Sequence, residues 1–457
     1  MLNRSLVEGD VKKSLLRFTL PFLAATLLQF TYGAADLIIV GQFDPTGAGI
    51  AAVTTGSQLM QTFTSLLMGL ASGGTVLIGQ YWGAKQRKDV SETIGTMFTF
   101  FTLLAVVMTA IVTLGANFFT ALMQVPDGAV EGARQYIFIC GCGVLFITGY
   151  NMVSGILRGL GDSKHPMMFV AIACVANIIG DLILVGPLGM GPAGAAIATV
   201  GAQALSLVLS IFVLRQKDFP FDFALTSFRI AKDKLLRLVR IGTPVAVQNI
   251  LVSISFLIIT GVVNGMHLLA ASAAMGTASR VIDFCMMGPI AFYSAISAMT
   301  AQNIGAGRED RAKKTLKYGM LFSLIFGVVM FALILLFPRQ AIGIVNRTPE
   351  VLDLGVLCLY GFSFDCIMVA FIFSFNGFFG GCGRTGFTMA NSLIATFAVR
   401  IPFTLIVASL PNPSLFLIGL ASPLASILQV FIQLIYYKLG RWKGGSVVKE
   451  ALPGADG

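Results

Sequence analysis

Long apolar runs separated by short polar breaks recur along all 457 residues of the chain. Twelve segments can be marked, at 14–40, 48–79, 93–119, 132–157, 165–186, 191–214, 238–264, 269–300, 315–337, 352–379, 387–409 and 414–438. Each exceeds the roughly 18 apolar residues that mark a candidate transmembrane helix. The pattern predicts an all-α polytopic membrane protein with twelve transmembrane helices. Composition strengthens this reading. Hydrophobic residues make up 56% of the chain, charged residues only 11%, and mean hydropathy is +0.85. A soluble domain carries about 25% charged residues, so too little polar surface remains here for a soluble fold. The first run is also too long, and too closely joined to the second, for a cleaved leader.

Charge then orients the helices. With the N-terminus placed in the cytoplasm, 26 Lys and Arg fall on the cytoplasmic side, and only Arg134, Arg339 and Arg347 fall outside. Arg280 and Arg400 lie within apolar segments. The positive-inside rule therefore places both termini in the cytoplasm, in a multi-pass protein of the cell inner (plasma) membrane. The net charge of +10 follows from this topology, with basic loops facing anionic lipid; it gives no reason to expect nucleic acid.

The polar stretch 215–237 divides two halves that repeat. Gln80-Tyr-Trp-Gly83-Ala84 matches Gln302-Asn-Ile-Gly305-Ala306, and Leu157-Arg-Gly159-Leu-Gly161 matches Phe379-Gly-Gly381-Cys-Gly383. Leu20-Pro21 matches Thr243-Pro244 at almost the same offset. Six helices per half is an even number, so the repeat is parallel, with a pseudo-two-fold axis along the membrane normal. The expected domains are an N-lobe at 1–214, a cytoplasmic connection at 215–237, a C-lobe at 238–440 and a cytoplasmic tail at 441–457.

The acids inside apolar runs carry the candidate chemistry. A charged Asp at mid-bilayer costs roughly 2.5–3.5 kcal/mol on insertion scales and normally marks an ion or substrate path. Asp36, Asp181, Asp283 and Asp365 are such acids. Asn177 and Asp181 lie four residues apart, on one helical face. Two unpaired carboxylates brought together cannot both ionise cheaply, so Asp36 and Asp181 would hold a proton, or a monovalent cation with further oxygens from Asn177 and a hydroxyl. The rival reading has each Asp merely satisfying a freed backbone group. The repeat supplies a control, because Asp36, Asn177 and Asp181 correspond to Ile259, Val399 and Phe403. Polar groups needed only for the fold would be required in both halves. Asp283 has Arg280 one turn before it and can form a structural ion pair. Asp365 is either cleft-lining or buried and hydrogen-bonded. Pro21 interrupts the first helix as a hinge or as a static bend.

Other signals are weaker. There is no Walker A string, and neither Gly189-Met-Gly191-Pro-Ala-Gly194 nor Gly381-Cys-Gly383-Arg-Thr-Gly386 lies in a βαβ context. The pairs Gly69/Gly73, Gly155/Gly159 and Gly377/Gly381 predict close helix packing. Seven Cys read as small buried hydrophobes, and His165 and His267 stand alone, so no metal cluster or cofactor is expected.

The duplicated six-helix plan, with QYWGAKQRKD and QNIGAGREDR after helices two and eight and LRGLGDSKHP after helix four, resembles the MATE (multidrug and toxic compound extrusion) family across essentially the whole chain. The resemblance implies a V-shaped MATE fold and no enzyme activity. It implies secondary active antiport by alternating access, exporting organic cations and amphipathic drugs against H+ or Na+. In the DinF-like branch the matching cation-site residues are Asp36, Asn177, Asp181 and Thr199, with Pro21 as the bending proline. The NorM branch adds a Glu in helix seven, where this chain has Ser253. Candidate substrate-cleft residues are Gln29, Tyr32, Gln58, Gln61, Asn151, Gln248, Asn249, Arg280, Asp283, Asp365 and Asn376. The expected partners are small drug-like substrates and the lipid bilayer, with the protein acting as a monomer. The alternative is a lipid-linked oligosaccharide or metabolite flippase of related architecture, which calls for several cleft-lining Arg residues.

Overall fold

The computed structural model describes residues 6–44, 46–215, 219–265, 269–411, 413–446 and 448; His267 and most of the C-terminal tail lie outside them. The described chain is helical throughout. The first half runs α1 Val11–Phe43, α2 Ala48–Gly83, α3 Arg87–Leu114, α4 Ala116–Leu122, α5 Val130–Cys142, α6 Val144–Gly159, α7 Lys164–Leu184 and α8 Gly191–Leu214. The second runs α9 Lys232–Asn264, α10 Leu269–Gly305, α11 Glu309–Leu336, α12 Pro338–Val345, α13 Pro349–Ser363, α14 Asp365–Gly381, α15 Thr385–Ala395, α16 Ile401–Ala408 and α17 Leu415–Lys438. A π-helical turn, Thr396–Arg400, joins α15 to α16.

Among the described residues, ten helices are long and apolar enough to cross a bilayer, and the number rises to twelve if each of two bent pairs is one span. The bent pairs are α5–α6, at 51°, and α13–α14, at 42°. The apolar run at 132–157 predicts one helix, but the chain turns at Gly143; its counterpart at 352–379 turns at Phe364. Hydropathy registers the apolar length of these spans and is blind to a bend within it. The connection at 215–237 is shorter than expected for a related reason. Helix α9 starts at Lys232 because its first turns carry polar residues that a hydropathy window excludes.

Leu114, Phe212, Ile325 and Phe431 are exposed. For a membrane protein such surfaces replace the polar exterior of a soluble fold. Hydroxyls on these helices back-bond: Thr26, Thr55 and Thr404 each donate to the carbonyl four residues earlier. The most buried spans are α2 and α10, at 56% and 61% of their apolar windows. They occupy equivalent places in the two halves and act as pillars. The glycine pairs explain how neighbours approach them. A Cβ at Gly159 of α6 would lie 2.8 Å from the Thr75 carbonyl oxygen of α2, and one at Gly381 of α14 would lie 2.6 Å from the Ser297 oxygen of α10. The repeat persists in the backbone of the loops. After α2 the chain turns through Lys85 at φ 59°, and after α10 it turns through Gly307 at φ 70°.

Among the described residues, Leu20–Ala246 form one compact unit, and Leu6–Thr19 with the residues from Val247 onward form the other. Both unit boundaries fall next to a helix-interior proline, Pro21 in α1 and Pro244 in α9. Each proline removes one intrahelical hydrogen bond, which makes these the places where a helix most readily changes the body it packs against. In the first unit, the residues before α9 are docked on α3. Phe98 stacks with Phe221 and meets Phe228 edge-on. The Ala231 N–H donates to the Thr96 hydroxyl at 3.1 Å, and Lys234 pairs with Asp89 and donates to the Tyr81 hydroxyl.

Candidate functional site

The first unit brings together side chains from α1, α7 and α8. Asp36 lies late in α1, Asn177 and Asp181 occupy successive turns of α7, and Thr199 lies in the third turn of α8. The close approach of α7 and α8 depends on Gly180, where a Cβ would lie 2.9 Å from Ala198 Cβ. Asn177 Nδ2 donates to Thr199 Oγ1 at 3.4 Å, and Thr199 Oγ1 donates to Asp36 Oδ2 at 3.3 Å. The carboxyl groups of Asp36 and Asp181 adjoin. Asp36, Asn177 and Asp181 are 5%, 1% and 0% exposed, so the cluster is dry as well as acidic.

Counting donors against acceptors shows what the cluster lacks. Asp36 Oδ1, Asn177 Oδ1 and both oxygens of Asp181 are buried without a hydrogen-bond donor. Two carboxylates and an amide oxygen face each other, with one hydroxyl and one NH2 group to serve them. Leaving four such oxygens unsatisfied is costly. A bound proton, or a monovalent cation ligated by oxygen, would complete the set, and Asp36, Asn177, Asp181 and Thr199 are the residues that could hold it.

Four neighbours complete the surroundings. Tyr32, one turn before Asp36, adjoins Gln203 of α8, while Tyr136 and Cys140 of α5 lie within electrostatic range of Asp36. Gln203 follows Thr199 by one helical turn, which was a legible signal. The contributions of α5 have no such signature, because they depend on how α5 packs.

The remaining candidates are dispersed. In the first unit Gln29, Gln58 and Gln61 are exposed and Tyr32 is half-buried; Asn151 is half-buried and donates to the Ile147 carbonyl. In the second unit Asn249, Arg280 and Asp283 are exposed. Among the described residues, Arg280 and Asp283 make no ion pair within 4 Å, so the one-turn spacing alone does not join them. Ser253 is exposed and donates to the Asn249 carbonyl. Gln248 is half-buried and donates to Ser392 Oγ at 2.8 Å. Asp365 and Asn376 lie in the interior. Ser422 and Ser426 donate to the two oxygens of Asp365 at 2.8 and 2.6 Å, and Gln433 donates to Asn376 at 2.8 Å. These partners come from one face of α17, at Ser422, Ser426 and Gln433, with Gln429 between them donating to Ser392. Polar residues this far apart in an apolar helix draw no attention until the helix is seen to face inward.

Comparison with known proteins bears on the whole chain. It is 26% identical over 448 residues to the probable multidrug resistance protein YpnP of Bacillus subtilis, covering 97% of this chain and 98% of that protein. It is 23% identical to the probable multidrug resistance protein NorM of Thermotoga maritima, covering 96% and 95%. The fold matches an outward-facing multidrug resistance MATE family transporter of the MOP superfamily, with a TM-score of 0.90 at 20% identity over 96% of this chain and 98% of that one. The MatE family model matches twice, at residues 21–183 and 244–406. Each match begins at a boundary proline, Pro21 or Pro244, and the two are separated by the period of the internal repeat. With both halves matched over most of the sequence, the chain belongs to the MatE family.

Proposed function

We propose that this protein is a secondary active efflux transporter that exports organic cations and amphipathic drugs in exchange for H+ or Na+. The observation that carries the reading is the set of four buried, donor-less oxygens on Asp36, Asn177 and Asp181. The names of the two relatives support the substrate class, and the Asp/Asn/Asp/Thr set supports a DinF-like cation site. Ion binding drives transport only if the two access states bind the ion with different affinity. Asp36 and Asp181 come from different helices, so motion of α1 against α7 changes their separation and with it the affinity. Pro21, which weakens α1 fifteen residues before Asp36, is the hinge for that motion. The Lys and Arg distribution supports an inner-membrane protein with both termini in the cytoplasm, and the working unit is a single chain with an N-lobe and a C-lobe.

The test is drug efflux from proteoliposomes under separately imposed Na+ and pH gradients. Efflux driven by one gradient and abolished by its collapse is expected, and names the ion. Equal flux with neither gradient would overturn antiport.

A further inference from the structure

Among the described residues, the second unit contains a buried cation with no ion-pair partner. Arg400 closes the π-helical turn between α15 and α16 and is 9% exposed. Thr385 begins α15 fifteen residues before it and Ala408 ends α16 eight residues after it, about 22 and 12 Å of helix away, so the residue lies within the span and not at either end. Its Nη1 has one long hydrogen bond, 3.5 Å to Ser255 Oγ, and its Nε is buried without an acceptor. One face lies over the Phe256 ring, with Cζ 5.1 Å from the centroid. Asp365 is the nearby carboxylate, but it makes no ion pair with Arg400 within 4 Å and both its oxygens accept from Ser422 and Ser426.

A guanidinium offers five N–H donors in a planar fork that suits a carboxylate or another oxyanion. Burying one without a partner is expensive. π-Helical turns also concentrate at functional positions, because the extra residue turns a side chain away from the regular helical register. The repeat adds an independent argument. Arg400 corresponds to Ile178, between the Asn177 and Asp181 positions of the first unit. One helix of the repeat therefore carries an acid, Asp181, in the first copy and a base in the second.

We propose that Arg400 is an anion-binding residue, taking a carboxylate of a transported zwitterion or an inorganic anion such as chloride on its free Nε edge. This rests on the efflux reading above and extends its substrates from cations to zwitterions. Ser255 steadies Nη1 and Phe256 backs the plane, leaving the buried Nε as the donor that the anion would satisfy.

The experiment compares two dyes in proteoliposomes: rhodamine B, a zwitterion with a free carboxylate, and its ethyl ester, a cation without one. Each is measured with wild type, Arg400→Gln and Arg400→Lys, with and without added chloride. Arg400→Gln should lower kcat/KM for rhodamine B by about ten-fold or more while leaving the ester within about two-fold. Arg400→Lys, which keeps the charge and loses the fork, should fall between. Chloride that inhibits rhodamine B in wild type alone supports the carboxylate as the occupant. Chloride that both dyes require in wild type, and neither requires in Arg400→Gln, supports chloride itself. An unchanged rhodamine B to ester ratio in Arg400→Gln without any chloride dependence would overturn the proposal, as would equal loss of both dyes in both variants. Failure of wild type to export the ester would instead count against the efflux reading.

Discussion

The two units are built on one repeated scaffold, yet they treat their buried acids in opposite ways. In the first, Asp36, Asn177 and Asp181 meet across α1 and α7, and four of their oxygens have no donor. In the second, the corresponding residues are Ile259, Val399 and Phe403. Among the described residues, the buried acid there is Asp365, and both of its oxygens accept from α17. The scaffold therefore does not need the first acid cluster. A carboxylate whose lone pairs are met by serine hydroxyls has its hydrogen bonding complete, whereas one left short of donors has oxygens that a proton or a cation could satisfy. Duplication makes this contrast visible within a single chain, without reference to any other sequence.

The contrast can be broken most severely at the unsatisfied acids. Asp36→Asn and Asp181→Asn should each reduce gradient-driven drug flux by about 100-fold, near the upper end of ordinary coupling energies, with little loss of thermal stability. Proteoliposome flux and a melting curve on the same preparation check both halves of that statement. The satisfied acid should behave in reverse. Ser422→Ala with Ser426→Ala strands the Asp365 carboxylate and should cost about 1–3 kcal/mol per lost donor, read as a lower melting temperature with gradient coupling retained.

Where the units are alike, they should respond alike. Gly159→Ala and Gly381→Ala each push a methyl group against a backbone carbonyl of a pillar helix, and each should destabilise by about 1–3 kcal/mol. A large difference between them in thermal melts would show that the glycine contacts are not equivalent. The smallest effect is expected for Thr199→Ala, which removes one hydroxyl from the acid cluster. It should weaken ion affinity by about three- to ten-fold, the worth of a single hydrogen bond, seen as a shift in the ion concentration for half-maximal efflux.

Much of this is legible in the sequence. Twelve spans, the repeat and the shared face of Asn177 and Asp181 follow from period, length and offset. Their meeting with Asp36 and Thr199 was anticipated partly by physical argument and partly by family resemblance. The bends at Gly143 and Phe364 were not legible, because mean hydropathy does not change where an apolar helix turns. The polar face of α17 was hidden for a different reason: Ser422, Ser426, Gln429 and Gln433 are uncharged and widely spaced. The unit boundaries beside Pro21 and Pro244 depend on which body each helix segment packs against, and that is decided by contacts distant in sequence.

The central claim is that the acid couple of the first unit is the coupling-ion site. Its most direct test is ion-gradient-driven drug efflux by Asp36→Asn beside wild type, with drug binding measured in parallel. The account predicts that the variant still binds drug but answers neither a Na+ nor a pH gradient. Wild-type flux from the variant under the gradient that drives the parent would contradict it.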